Sequence, residues 1–266
     1  MFDFKTSLET GVREEVIHQL RQRFSDAEIA RKAMAITLLS ESAKTIKDGT
    51  TLNGILYLSP AREVSRKTLC PWSSPACRAA CIIHSGRMRM ENAGQARIFR
   101  TIKLLIFPDI FKIQLIQEIA AHQERAIKLG KTPVIRLNGT SDLQTARVLE
   151  WLPVAQFFDA LPQLFPDVMF SEYTKNPQPS MRPINQSVTL SYSGTNLNQA
   201  LEWLQSGGNV AVVFREKLPQ QWNGHRVIDG EKHDNRYKDE SGVVVGLKLK
   251  GNRLAQLEAI EGGFAV

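Results

Sequence analysis

The sequence predicts a mixed α/β fold with a mainly parallel sheet, arranged as a (β/α) barrel or partial barrel with extra N-terminal helices. Short apolar runs alternate with segments of helical period along most of the chain. Nearly every apolar run is followed at once by polar residues, as in folds that build a site at the carboxyl ends of their strands. The 266 residues, 42% of them hydrophobic, suffice for one large core. An open doubly wound sheet is the alternative, because it also binds ligands at strand ends.

The first 50 residues are expected to form a helical segment packed on the core, and residues 51–266 the barrel-like domain that carries the site. Apolar residues recur at helical spacing between residues 12 and 40, with arginine and lysine between them. These charges are typical of the solvated face of a covering helix, and a nucleic-acid-binding helix is the alternative. A second partly basic helix is predicted over residues 87–107, with Arg87, Arg89, Arg97, Arg100 and Lys103 on its charged face.

The remaining elements are predicted in alternation, separated by proline and glycine. Strands are expected at residues 55–58, 134–137, 168–170, 188–192, 209–214, 227–228 and 243–250. Further helices are expected at residues 111–129, 143–164 (broken near Pro153) and 197–204. Because parallel strands end at one edge of a sheet, the polar residues that follow them should share one rim.

All three cysteines of the chain, Cys70, Cys77 and Cys81, follow the first of these strands, and the spacing is C-x6-C-x3-C. With no cysteine elsewhere to pair with, this cluster points to a metal or metal cluster rather than to a disulfide framework. Three thiolates can hold three irons of a [4Fe–4S] cluster and leave the fourth iron open. The alternatives are a zinc ion with His84 as fourth ligand, or cysteines buried as small hydrophobic residues.

The stretch around the cysteines also has a local helical signal. Ser73 or Ser74 can cap a helix over residues 76–83. On such a helix the second and third cysteines and His84 face one side, while Cys70 approaches from the preceding loop.

Polar side chains after the later strands complete the predicted site. The candidate acids and bases are Asp142, Glu172, Lys175 and Asp229. The candidate ligand-binding residues are Asn138, Ser141, Ser191, Ser193, Asn196, Asp234 and Arg236. The plainer alternatives are helix capping by Asp142 and the serines, an ion pair of Glu172 with Lys175, and a salt-bridged turn after Asp229.

Other classes of function lack their sequence signatures. The chain has no Walker loop, no G-x-S-x-G and no H-E-x-x-H, so nucleotide hydrolysis, serine-hydrolase and zincin chemistry are unsupported. A net charge of +7 permits a nucleic-acid partner. No apolar run approaches the roughly 18 residues of a membrane span, and the N-terminus lacks the order of a signal peptide. We therefore expect a protein of the reducing cytosol, without a membrane partner.

Six blocks of sequence together resemble the phage "gene product 88" domain family. They occur in the same order between roughly residues 50 and 251: residues 60–65, 70–87, 136–142, 172–175, 190–193 and 227–236. The resemblance implies phage or prophage origin, and hence the cytoplasm of an infected or lysogenic bacterial host. It implies no particular activity.

A cysteine loop after the first strand of a β/α barrel is also similar to the radical-SAM enzymes, whose three cysteines hold a [4Fe–4S] cluster with one open iron. That similarity implies a cluster. Their usual spacing is C-x3-C-x2-C, and residues 138–142 replace their glycine-rich motif, so SAM is only a secondary cofactor candidate.

Two hypotheses result. The first is an iron–sulfur protein, and a candidate enzyme, with an open cluster facing a small-molecule ligand on the polar rim. The second is a phage nucleic-acid-binding protein in which zinc or a cluster is structural.

Overall fold

The computed structural model describes residues 3–41, 49–143, 154–176 and 183–266. Its helices are α1 (Phe4–Gly11), α2 (Glu14–Arg21), α3 (Asp26–Ala35), α4 (Pro75–Ala79), α5 (Glu91–Ile106), α6 (Pro108–Lys128), α7 (Val154–Leu164), α8 (Leu197–Gln205) and α9 (Arg253–Glu261). Its strands are β1 (Leu39–Ser40), β2 (Thr51–Leu56), β3 (Thr132–Arg136), β4 (Met169–Thr174), β5 (Gln186–Ser191), β6 (Asn209–Phe214), β7 (Gln221–Trp222), β8 (His225–Asp229) and β9 (Val244–Lys248).

The described strands form one nine-stranded sheet in the order β1-β2-β3-β4-β5-β6-β9-β8-β7. All neighbours pair in parallel except the two-residue strands β1 and β7, which pair antiparallel at the edges. The predicted mainly parallel α/β fold is therefore confirmed. Within the described ranges the sheet is open, and a closed barrel is not formed because the two edge strands do not pair with each other.

The two faces of the sheet have different coverings. Ile135, Leu137 and Phe170 face α6 and α7 in a fully apolar core that includes Leu115 and Phe158. A second core packs α8 against β5, β6 and β9. The alternate residues of these strands, such as Arg136 and Ala211, point to the other face, where a cavity lies.

The N-terminal helices pack on α5. Leu8, Ile17 and Ile29 contribute to a buried cluster with Phe99 and Ile102 of that helix. The basic face predicted for α5 is divided: Arg97, Arg100 and Lys103 are buried, whereas Arg87 and Arg89 are exposed in a 3-10 turn before the helix. The buried cations bond to protein oxygens and do not form a solvated face.

Element boundaries differ from the predictions in a few places. The predicted helix over residues 87–107 starts only at Glu91, and residues 144–153 of the predicted helix over 143–164 lie outside the described residues. The edge strand β7 and the terminal helices α1 and α9 had no prediction. The helical pattern expected over residues 12–40 is wrong at its end, where residues 39–40 form β1. Among the described helices, none combines the length and the apolarity that crossing a membrane requires.

Candidate functional site

The cysteine segment is held by local hydrogen bonds. Cys70 Sγ accepts the amide of Ala61 at 3.2 Å, and the Cys70 carbonyl accepts the Ser73 hydroxyl at 2.8 Å. Ser74 caps α4 by accepting the Cys77 amide at 3.1 Å, and Pro75 occupies the first helical position.

The predicted helix over residues 76–83 is wrong in its extent. It ends at Ala79, and Cys81 precedes a separate 3-10 turn, Ile82–His84. The chain therefore bends between the second and third cysteines. These two cysteines do not lie on one helical face.

All three cysteines nevertheless line one cavity of about 450 Å³ at the carboxyl edge of the sheet. Six of the predicted polar residues line the same cavity: Asn138, Ser141, Asp142, Lys175, Ser191 and Asp234. His84 also lines it, with an exposed side chain. The structure thus brings together the cysteine loop and the ends of β3, β4 and β5, which are far apart in the sequence.

Lys175 lies at the centre of this arrangement. Its side chain is hydrogen-bonded to Cys77 and lies 5.8 Å from the centre of the Phe264 ring. Burial alone would lower the pKa of Lys175, but its interactions with Cys77, Asp142 and Cys70 outweigh burial and raise the pKa. Lys175 is therefore protonated beside the thiols near neutral pH.

Two of the half-buried cysteines, Cys70 and Cys81, have thiols whose surroundings disfavour the charged form. Burial raises the pKa of Cys70 to about 12, against the opposing hydrogen bond from Ala61, and burial also raises the pKa of Cys81. Both groups are neutral thiols near pH 7 as long as no positive ion replaces their protons. A bound metal would supply that replacement.

Asp142 connects the loop after β3 to the end of β4. Its Oδ1 accepts the Thr174 hydroxyl and its Oδ2 accepts the Lys175 amide, both at 2.8 Å. The carboxylate is 7% exposed and lines the cavity. In this position Asp142 can act as a fixed negative charge beside Lys175, and it can also contact a ligand in the cavity.

Glu172 is placed behind the cavity wall. Its carboxylate accepts the amides of Leu137 and Asn138 at 2.6 and 3.1 Å, so it shapes the turn after β3. Burial raises the pKa of Glu172 to about 7, although both backbone hydrogen bonds and the charge of Arg136 oppose that shift. Its hydrogen bonds are with this turn, and the alternative of an ion pair with Lys175 is not seen among the described residues.

Ser193 and Asn196 bond to each other rather than to the cavity. Asn196 Oδ1 accepts the Ser193 amide at 2.9 Å, and its Nδ2 donates to the Ser191 carbonyl at 3.1 Å. Asp229 accepts the Glu231 amide at 2.9 Å and so closes the turn after β8. None of these three residues lines the cavity.

Arg236 is also outside the cavity wall and is only 1% exposed. It pairs with Asp239 at 3.1 Å and donates to the His233 carbonyl. This pair fixes the turn Arg236–Lys238 against β4 and β5. The predicted salt-bridged turn is thus present here, formed with Asp239.

Two cavity residues, Arg136 and Tyr173, were not among the predicted site residues. The Arg136 Cζ lies 4.6 Å from the centre of the Tyr173 ring. The signal in the sequence was an arginine within an otherwise apolar strand, next to the polar turn at residues 138–142.

Within the part of the chain that the structure describes, no three His, Cys, Asp or Glu side chains are close enough to hold one metal ion.

The sequence that forms this fold and this cavity can be compared with models of known protein families. The family model described as Gene product 88 matches residues 29–263. The chain belongs to the Gene product 88 family. The match covers every described strand, the three cysteines and every residue that lines the cavity except Phe264, whereas α1 and α2 precede it. The sequence resemblance to this family is therefore confirmed, and the candidate site belongs to the Gene product 88 domain itself. No curated protein and no solved structure gives a significant match.

Proposed function

We propose that this chain is a phage-encoded iron–sulfur protein that holds a [4Fe–4S] cluster through Cys70, Cys77 and Cys81. Its open iron would face a small-molecule ligand in the cavity, which makes it a candidate enzyme. The observation that carries the proposal is that all three cysteines of the chain line one cavity at the carboxyl edge of a parallel sheet.

The residues present fit such a group. Three thiolates are the soft ligands that iron–sulfur clusters require, and the chain offers three free cysteines on one cavity. Cys70 Sγ already accepts a backbone amide, and hydrogen bonds to ligand sulfurs are among the features that tune a cluster's reduction potential. Lys175 adds a positive charge that partly balances three thiolates.

The position of His84 favours a cluster over zinc. A structural zinc ion needs four protein ligands, whereas a cluster with one open iron needs only the three cysteines. His84, the fourth ligand in the zinc alternative, is exposed.

Residues of the cavity and its surroundings would support a reaction at the cluster. A bound cluster supplies an open iron for redox or Lewis-acid chemistry. Asp142 and Lys175 line the same cavity and can orient a ligand or hold a proton. Glu172 keeps the turn after β3 in place and contributes indirectly.

The setting of the protein is part of the same proposal. The consecutive order of β2 to β6 is that of a partial barrel, which suits a site at one rim.

Free cysteines and a phage family accord with the reducing cytoplasm of a bacterial host. SAM remains a secondary candidate for the ligand.

The deciding experiment is anaerobic purification followed by metal analysis. We expect a broad absorption near ~400 nm and about four irons and four sulfides per chain. Cys77→Ala should lower iron and sulfide together, while His84→Ala should leave both unchanged. A colourless protein with one zinc per chain, lost in His84→Ala, would refute the cluster.

The nucleic-acid alternative has weaker support. Several of the basic side chains that would contact phosphate are already buried or paired. Arg97, Arg100 and Lys103 are buried, and Arg21 pairs with Asp26 and Glu9. Salt-dependent DNA or RNA binding, strong at low ionic strength, would revive it.

A further inference from the structure

Arg136 lacks the partners that a cavity-lining arginine normally has. A guanidinium carries five N–H donors. Among the described residues, no hydrogen bond or ion pair to the Arg136 side chain occurs, and its guanidinium makes a cation–π contact with Tyr173. Its Nε is buried without an acceptor. An unpaired buried donor is costly, so an acceptor bound in the cavity would stabilise Arg136.

The neighbouring acids do not serve as that partner. Glu172 is close enough for Arg136 to lower its pKa, but its two oxygens already accept the amides of Leu137 and Asn138. Asp234 lines the same cavity and is not ion-paired with Arg136 within the described structure.

The Tyr173 ring also restrains Arg136. The guanidinium carbon lies 4.6 Å from the centre of that ring, a cation–π contact, and both residues line the cavity. A guanidinium binds a carboxylate with two parallel hydrogen bonds. Arg136 can therefore receive an anion bound in the cavity.

We propose that Arg136 binds the carboxylate of a small organic acid in the cavity. This inference specifies the chemical class of the small-molecule ligand in the proposed function. It rests on that proposed function, because it takes the cavity to be the ligand site. A carboxylate is the anion we name because its two oxygens match the guanidinium fork, and inorganic phosphate, which the same fork can also bind, is the competing anion in the test. A volume of about 450 Å³ suits a small molecule.

The test uses ¹⁹F NMR titration of the purified full chain with two probes, 4-fluorobenzoate and trifluoroacetate. We expect at least one probe to bind the wild type, and Arg136→Met to weaken its binding by about tenfold or more. Unlabelled acetate should displace the probe more effectively than inorganic phosphate. Equal binding by Arg136→Met, or no binding of either probe at millimolar concentration, overturns the proposal. Stronger competition by phosphate overturns the carboxylate assignment.

Two further variants control for charge and folding. Lys250→Met removes another cation of the cavity wall, but one already paired with Glu231 at 3.0 Å, and it should bind the probe like the wild type. Arg136→Lys keeps the charge and loses the planar fork, so it should bind more weakly. If Arg136→Met does not fold, as judged by thermal unfolding, unchanged binding by Arg136→Lys overturns the proposal.

Iron and sulfide are measured on the same samples. Iron-free wild type that binds the probe through Arg136 would leave this inference standing and refute the cluster. Iron-loaded wild type with no Arg136-dependent binding would refute this inference and leave the cluster standing.

Discussion

Single residues show how strand register decides the role of a polar side chain. Ile135 pairs with Phe170, and continuing this register places Glu172 beside Leu137, on the face that packs against helices. Tyr173, the next residue, faces the cavity. The sequence correctly indicated that polar residues gather after these strands. It could not assign their faces, because register between strands depends on packing that is not local.

The buried carboxyl of Glu172 makes stability depend on pH. Its pKa is raised to about 7 in the folded chain from an unfolded value near 4.5, chiefly by burial. Between these values the folded state binds the extra proton, so its contribution is complete below the unfolded pKa and is lost as the pH rises through the folded pKa. The loss is on the order of 3 kcal/mol.

Glu172→Gln should remove this pH dependence. Thermal unfolding of both proteins between pH 4.5 and 7.5 measures it, and the wild type should lose stability relative to the variant as the pH rises. Parallel curves for the two proteins would show that Glu172 titrates normally.

At the scale of elements, α4 is short and depends on its cap. Its five residues cannot be stable alone, so Ser74, Pro75 and the packing of α9 hold it in place. The N-cap and the first-turn proline were readable in the sequence because both act locally. The early end of α4 and the bend before Cys81 were not predicted, since no local pattern marks them and the contacts of α4 with α9 are not visible in the sequence around α4.

Ser74→Ala should therefore affect both stability and the cysteines. Loss of the bond to the Cys77 amide should lower the free energy of unfolding by about 1 kcal/mol. If the proposed cluster is bound, the substitution should also speed the release of iron to a chelator, because Cys77 loses its fixed backbone position.

Ser25→Ala is the matched control for this prediction. Ser25 caps α3 in a capping box with Glu28, away from the cavity. Its loss should cost a similar free energy of unfolding without changing iron release. Equal iron release by the two variants would contradict a specific role of the α4 cap.

At the scale of the whole molecule, buried polar contacts join the N-terminal helices to the sheet domain. Lys103 donates to the Met34 carbonyl at 2.6 Å, and Arg100 donates to the Thr37 carbonyl at 2.7 Å. Leu105 packs against both the N-terminal core and the main core. The basic pattern of α5 predicted a charged surface, because a sequence does not show that another segment will cover it.

Lys103→Met should destabilise the chain by about 1–3 kcal/mol, since it leaves the carbonyl oxygen of Met34 without its donor. Calorimetry should show the loss within a single unfolding transition, as the shared packing requires. Lys128→Met, at an exposed position on α6, should leave the transition unchanged. A separate early transition in Lys103→Met would mean that the N-terminal helices unfold independently.

The place of β9 between β6 and β8 has a consequence for synthesis. Strands β2 to β6 each pair with the strand made just before, so the growing chain can add them one by one. The β7–β8 hairpin, by contrast, has no place in the sheet until residues 244–248 emerge and insert beside it. Leu247 of β9 lines the cavity. The three cysteines thus leave the ribosome long before β9, the strand that helps to enclose them. The cavity can therefore be completed only after β9 has been made.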